Sequence, residues 1–182
     1  NYLKDIGYNQ ISEVLNIMAY IVDEEGNKKD IGKFDNKVTA VIALADMRLN
    51  EINSKKVGVY SIEENGKIKF CGGKFTKEGI EFSIKNLSNP VNYVVMEYNK
   101  IFADINDLAL PKQYKQYIEI MASRHITMGK TPDSFVPNSK ATRGQIATFI
   151  GRAFGFDEED FNLAFTDLRK DVYYTGYVSS LK

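Results

Sequence analysis

The chain has 182 residues, 43% hydrophobic and 26% charged, which suits one large globular domain or two small ones. Its 24 basic and 24 acidic residues cancel, so there is no electrostatic footprint for nucleic acid, and no apolar run approaches the roughly 20 residues of a membrane-spanning helix. One cysteine and one histidine rule out an intramolecular disulfide and zinc spacings that need several Cys or His. They leave little from which a Cys–His or Ser–His–Asp centre is built, so no catalysis, metal or cofactor is expected.

The chain opens without a charged-then-apolar leader and stops inside a helical pattern. It is therefore expected to be an internal piece of a longer secreted protein. Residues 11 to about 100 alternate apolar and polar positions between turn signals, as half-buried strands do. Val14, Ile17 and residues 19–22 form a first predicted strand, closed by Asp23-Glu24-Glu25-Gly26-Asn27. Residues 38–44 are a nearly continuous apolar run and predict a strand buried on both faces. Residues 57–62 lead into Glu63-Glu64-Asn65-Gly66 and then 67–70, where Asn-Gly signals a tight hairpin with positive φ at both turn residues. Gly72-Gly73 breaks the next segment, Glu78-Gly79 turns into a strand over 80–84, and a strand over 91–98 ends the region. Strands at this spacing predict an antiparallel β-sandwich.

At Phe102 the period changes from two to about 3.6. Tyr114, Tyr117, Ile118, Met121 and Ala122 predict one helix, with Pro111 in its first turn. Beyond a loop with Gly129, Pro132 and Pro137, a second helix carries Ile146, Phe149, Ile150 and Ala153 on its predicted apolar face, and Gly155 closes it. The acidic stretch 157–160 reads as a solvated linker. The expected class is α+β: a β-sandwich domain over 1–100, a helical repeat over 101–156, and a linker with the start of a second repeat over 157–182.

The repeat is visible in the sequence. Phe102-Ala103-Asp104 recurs as Phe165-Thr166-Asp167, and each is followed by a Tyr-rich segment, 114–118 and then 173–178. Phe102 to Gly155 resembles the S-layer homology domain of Gram-positive surface proteins. The resemblance rests on Phe102-x-Asp104, Ala122-Ser123-Arg124-His125-Ile126, Gly129, Phe135-x-Pro137, Thr142-Arg143-Gly144-Gln145 and Gly151-Arg152-Ala153-Phe154-Gly155. Four positions depart from the family's pattern. Gln113 or Tyr114 stands where a Trp is usual, His125 where a Gly is common, and Gly144-Gln145 in place of Ala-Glu. Residues 38–98 more weakly resemble β-domains that precede such repeats in clostridial surface proteins, on Val57-Gly58-Val59-Tyr60, Lys69-Phe70-Cys71-Gly72-Gly73 and Leu87-Ser88.

The resemblance implies a non-enzymatic, extracellular module that anchors its protein by binding a pyruvylated secondary cell-wall polysaccharide. It implies ligand contacts among Arg143, Gln145, Thr142, Gly129 and Asp104. Local chemistry offers other uses for most of these. Thr142 and Gln145 form a capping box, Gly129 suits a positive-φ turn, and Asp104 suits a loop-fixing acceptor of backbone N–H groups. Arg143 is harder to explain in this way, because a cation in a first helical turn opposes the helix dipole but suits an anionic ligand; its other use is an ordinary surface salt bridge. His125 is expected to be a protonated cap at a helix C-terminus, and the tyrosines to pack between repeats with hydroxyls toward solvent. The other reading is a structural module of a surface lattice. Its expected partners are neighbouring repeats or a second copy, meeting an unpaired apolar face over 173–178. A glycosidase would need paired carboxylates about 5–10 Å apart, and nothing in the sequence points to them.

Overall fold

A computed structural model describes residues 2–31, 33–44, 51–86, 91–107, 109–156 and 165–181. The acidic stretch 157–160 and Leu87-Ser88 lie outside these. The chain has both strands and helices, an α+β composition, and forms two units, Asn1–Asn99 and Lys100–Lys182.

The first unit opens with the short helix α1 (Tyr2–Asp5), followed by β1 (Tyr8–Gln10), β2 (Leu15–Ile17), β3 (Tyr20–Val22), β4 (Lys28–Asp30) and β5 (Lys33–Ile42). After a 3-10 turn at Ser54–Lys56 come β6 (Val57–Ile62), β7 (Ile68–Gly72), β8 (Lys74–Phe75), β9 (Ile80–Asn86) and β10 (Val91–Tyr98). All pairings among the described residues are antiparallel. One sheet runs β1-β10-β6-β7 with β2 also on β10, a second runs β5-β9-β8, and β3 pairs with β4.

β10 organises this unit because both of its faces are buried. Tyr93 and Val95 join Val57, Val59, Ile42, Ile80, Phe82 and Ile84 in a core fed by both larger sheets. On the opposite face Val94, Met96 and Tyr98 pack with Tyr8 and Tyr60, and the Tyr8 and Tyr98 rings stack at 4.0 Å. Alternate residues of a strand point to opposite faces, so a strand between two cores is apolar over most of its length, and the buried Glu97 of β10 accepts the Asn53 N–H at 2.9 Å. The sequence suggested that role for residues 38–44, and the structure corrects it. β5 lies at a sheet edge, Ile42 is buried, and Val38 and Val41 are exposed. The predicted first strand likewise divides into β2 and β3.

The β6–β7 hairpin also differs from the expected two-residue turn. Gly66 N–H donates to Glu63 O (2.8 Å) and Glu63 N–H to Lys67 O (2.9 Å). This is a three-residue loop in which only Gly66 has positive φ, at 81°. The β3–β4 hairpin repeats the pattern with Asp23, Asn27 and Gly26.

The second unit contains α2 (Ala103–Asp107), α3 (Lys112–Ser123), α4 (Arg143–Phe154) and α5 (Thr175–Ser180). Phe102, Ile105, Ile118 and Ala122 form its core with Leu110 and Phe135. The predicted apolar face of α4 is not the buried one. Of that face Ile146, Ile150 and Ala153 are exposed and Phe149 is half-buried, whereas Thr148 and Gly151 are buried. The reason is close packing by α5 and the residue before it. The Tyr174 ring lies against the Gly144 Cα and the Tyr177 ring against the Gly151 Cα, where any added Cβ would overlap the rings. The segment 173–178 is therefore docked on α4, with Thr175, Gly176 and Tyr177 buried, and is not the unpaired apolar face the sequence suggested. Tyr173 alone among its tyrosines is well exposed.

Truncating Val94 removes two buried methyl groups between packed side chains, so Val94→Ala should cost about 2 kcal/mol. Val41→Ala at the edge should cost less than about 0.5 kcal/mol. Urea denaturation of both variants checks the order, and equal losses would contradict the placement of β5 and β10.

Candidate functional site

The five residues singled out by the sequence fall into two groups. In the first, Asp104 at the start of α2 gathers the loop before α4. Its carboxylate accepts Phe135 N–H (2.9 Å), Val136 N–H (2.7 Å) and the Ser134 hydroxyl (3.0 Å). These bonds hold its carboxyl below the usual carboxylate range, led by the one from Phe135. They also fix Val136 at φ 58°, an uncommon state for a β-branched residue and one disfavoured before Pro137. Gly129 belongs to the same group. Its φ is 81°, and a Cβ there would sit 2.5 Å from the Phe102 ring and 2.7–2.8 Å from the carbonyls of Thr131 and Ser134. The close approach that needs glycine is thus to the repeat's own core.

The second group is the N-terminus of α4. Thr142 Oγ1 accepts Gln145 N–H (3.2 Å) and Gln145 Oε1 accepts Thr142 N–H (2.8 Å), completing the capping box. Gln145 makes both bonds of this cap without placing a negative charge at the helix start. Arg143 is exposed in the first turn and makes no ion pair with any described residue. The described hydrogen bonds and ion pairs do not connect the two groups.

His125 overturns an expectation. It follows the C-cap Arg124 of α3, with φ 53° and its N–H on Ala122 O. That is the left-handed position after a helix, where glycine is preferred, and it accounts for the usual glycine there. The imidazole is not a protonated cap. Burial, and then the charge of Arg152, hold its pKa down to about 4. Arg152 was not anticipated either. Its Nε donates to Tyr177 Oη (3.1 Å) and its guanidinium lies 5.6 Å from that ring's centre, tying α4 to α5. An Arg two residues before a closing Phe-Gly gave no sequence signal for this role.

Residues 110–147 match the S-layer homology domain. The helical unit carries an S-layer homology domain. Similar curated proteins are an amylopullulanase of Thermoanaerobacterium thermosulfurigenes, 30% identical over 129 residues, which cover 69% of this chain and 7% of the relative. An exoglucanase XynX of Acetivibrio thermocellus is 29% identical over 86 residues, 47% of this chain and 8% of the relative. An endo-1,4-beta-xylanase A of Thermoanaerobacterium saccharolyticum is 32% identical over 66 residues, 36% of this chain and 6% of the relative. The chain thus spans under a tenth of the length of each. No solved structure matches it significantly. S-layer homology domains generally anchor surface proteins to the cell wall, and among the described residues no helix is long and apolar enough to cross a membrane.

Because the fold prefers neutral His125, its contribution to stability is complete above the ordinary histidine pKa near 6.5. It is lost as pH falls toward the folded value of about 4. His125 is the chain's one histidine, so its imidazole proton signal is unambiguous. It should hold the neutral position down to about pH 4 in an NMR titration, and a midpoint near 6.5 would contradict the burial argument. Replacing Thr142 by Ala should lower the stability of the helical unit by about 1 kcal/mol, read by thermal unfolding.

Proposed function

We propose that this chain is a non-catalytic module, outside the cell, that holds a surface protein to the wall by binding an anionic wall polysaccharide through Arg143. The observation that supports this most is the state of Arg143. It is exposed, opposes the dipole of its own helix, and pairs with no described acid. A guanidinium beside the free N–H groups of a first helical turn suits a carboxylate, and a pyruvate ketal on a wall sugar carries one. Neutral Gln145 keeps the cap without competing for the cation. Asp104 and Gly129 serve this site by building the loop that leads into α4, and Thr142 by fixing where α4 begins.

The names of the relatives denote enzymes acting on polysaccharides, and the aligned stretch is a small part of each. That supports a role as an attached module and not as a catalytic domain. We read the first unit as a β-sandwich spacer, because two antiparallel sheets feed one core. A second reading, assembly in a surface lattice, draws support from the exposed Ile146, Ile150 and Phe154 on α4.

Sedimentation with purified wall sacculi, before and after chemical removal of their polysaccharide, tests the proposal. Binding should require the polysaccharide, weaken with added salt, and fall about tenfold or more in Arg143→Ala, as loss of a charge-assisted contact predicts. Binding unchanged in Arg143→Ala would move the contact elsewhere. Absence of binding together with self-association would favour the lattice reading.

A further inference from the structure

The tip of the β6–β7 hairpin carries Asn65-Gly66, both exposed. Asn-Gly is the dipeptide most open to spontaneous deamidation, because no side chain shields the glycine nitrogen. The Gly66 nitrogen, on losing its proton, attacks Cγ of Asn65 and a C–N bond forms. The amide nitrogen then leaves as ammonia. Water opens the resulting succinimide at either carbonyl, giving aspartate or isoaspartate at position 65.

We propose that Asn65 is a modification site gated by folding, silent in the native hairpin and reactive once the hairpin opens. Each group the reaction needs is engaged in the turn. The nucleophilic Gly66 N–H donates to Glu63 O at 2.8 Å. Asn65 Oδ1 accepts Lys67 N–H at 2.8 Å, which fixes the electrophilic amide. The leaving nitrogen, Asn65 Nδ2, donates to a Glu63 carboxylate oxygen at 3.4 Å, and that carboxylate is paired with Lys69 Nζ at 2.7 Å. Attack therefore requires local opening of the loop, which places Asn65 among the groups whose reactivity follows local unfolding.

The two products have different consequences. The β3–β4 hairpin has the same backbone bonds with Glu25 at the position equivalent to Asn65, so an acidic side chain is compatible with this turn. Isoaspartate adds a methylene to the backbone itself. It breaks the loop geometry that sets the register of Ile62 on Ile68 and Tyr60 on Phe70.

The full chain incubated at pH 8.5 and 37 °C, with and without 8 M urea, tests the proposal by mass spectrometry of the tryptic peptide 57–67. A one-dalton gain should accumulate in urea at least about tenfold faster than in the native chain, in line with the free energy needed to open a hairpin. Equal rates in the two conditions, or a native rate above the unfolded one, would overturn it.

Discussion

One carboxylate holds the helical unit together. Asp104 accepts two successive backbone N–H groups and a hydroxyl from the loop that precedes α4. Without it those donors would need water, and Val136 would have no reason to stay at positive φ ahead of a proline. The bonds bring Phe135 onto Phe102, with ring centres 5.7 Å apart, and so close the core that Ile105, Ile118 and Ala122 share. The spacing between Phe102-x-Asp104 and Phe135-x-Pro137 is the sequence trace of this contact. Gly129 completes it by letting the chain pass against the Phe102 ring.

α4 then serves three purposes along its length. Its first turn is capped by Thr142 and Gln145 and presents Arg143. Gly144 in that turn and Gly151 two turns on give low points for the Tyr174 and Tyr177 rings, and between them the buried Thr148 returns its hydroxyl to Gly144 O at 2.9 Å. Near its end Arg152 reaches Tyr177 on one side and depresses the basicity of His125 on the other. The departure from Ala-Glu at Gly144-Gln145 follows from these demands. A methyl group at 144 would collide with Tyr174, and a neutral residue at 145 keeps the cap while leaving the arginine as the only formal charge of that turn. Wall anchoring, if it runs through Arg143, is thus placed on a helix whose position is set by packing on its other faces.

Much of this was legible in the sequence, and the failures share a cause. Caps and turns are local, so the capping box at Thr142, the αL closure at Gly155 and the Asn-Gly hairpin could be read from a few residues. β10 could be read as a strand because its run is bounded by turn signals. What could not be read is which apolar run lies at the centre of the sheets, since residues 38–44 and 91–98 look alike in one dimension and differ only in their neighbours. The face of α4 was misassigned for a related reason. Periodicity weights large apolar residues, whereas burial here falls on glycine and threonine because the partner supplies the bulk. His125 was read by the helix dipole alone, but burial and Arg152 outweigh the dipole. Val136 showed no sequence sign of positive φ, because its strain is imposed by Asp104, 32 residues away.

The most direct test of this account is amide hydrogen exchange at Phe135 and Val136, in the native chain and in Asp104→Ala. Both N–H groups lie in a loop, where fast exchange is the default. Held by Asp104, they should exchange as slowly as core amides of α3 such as Ala122, and the substitution should abolish this protection while the β unit is unchanged. Fast exchange in the native chain, or protection that survives the loss of the carboxylate, would contradict it.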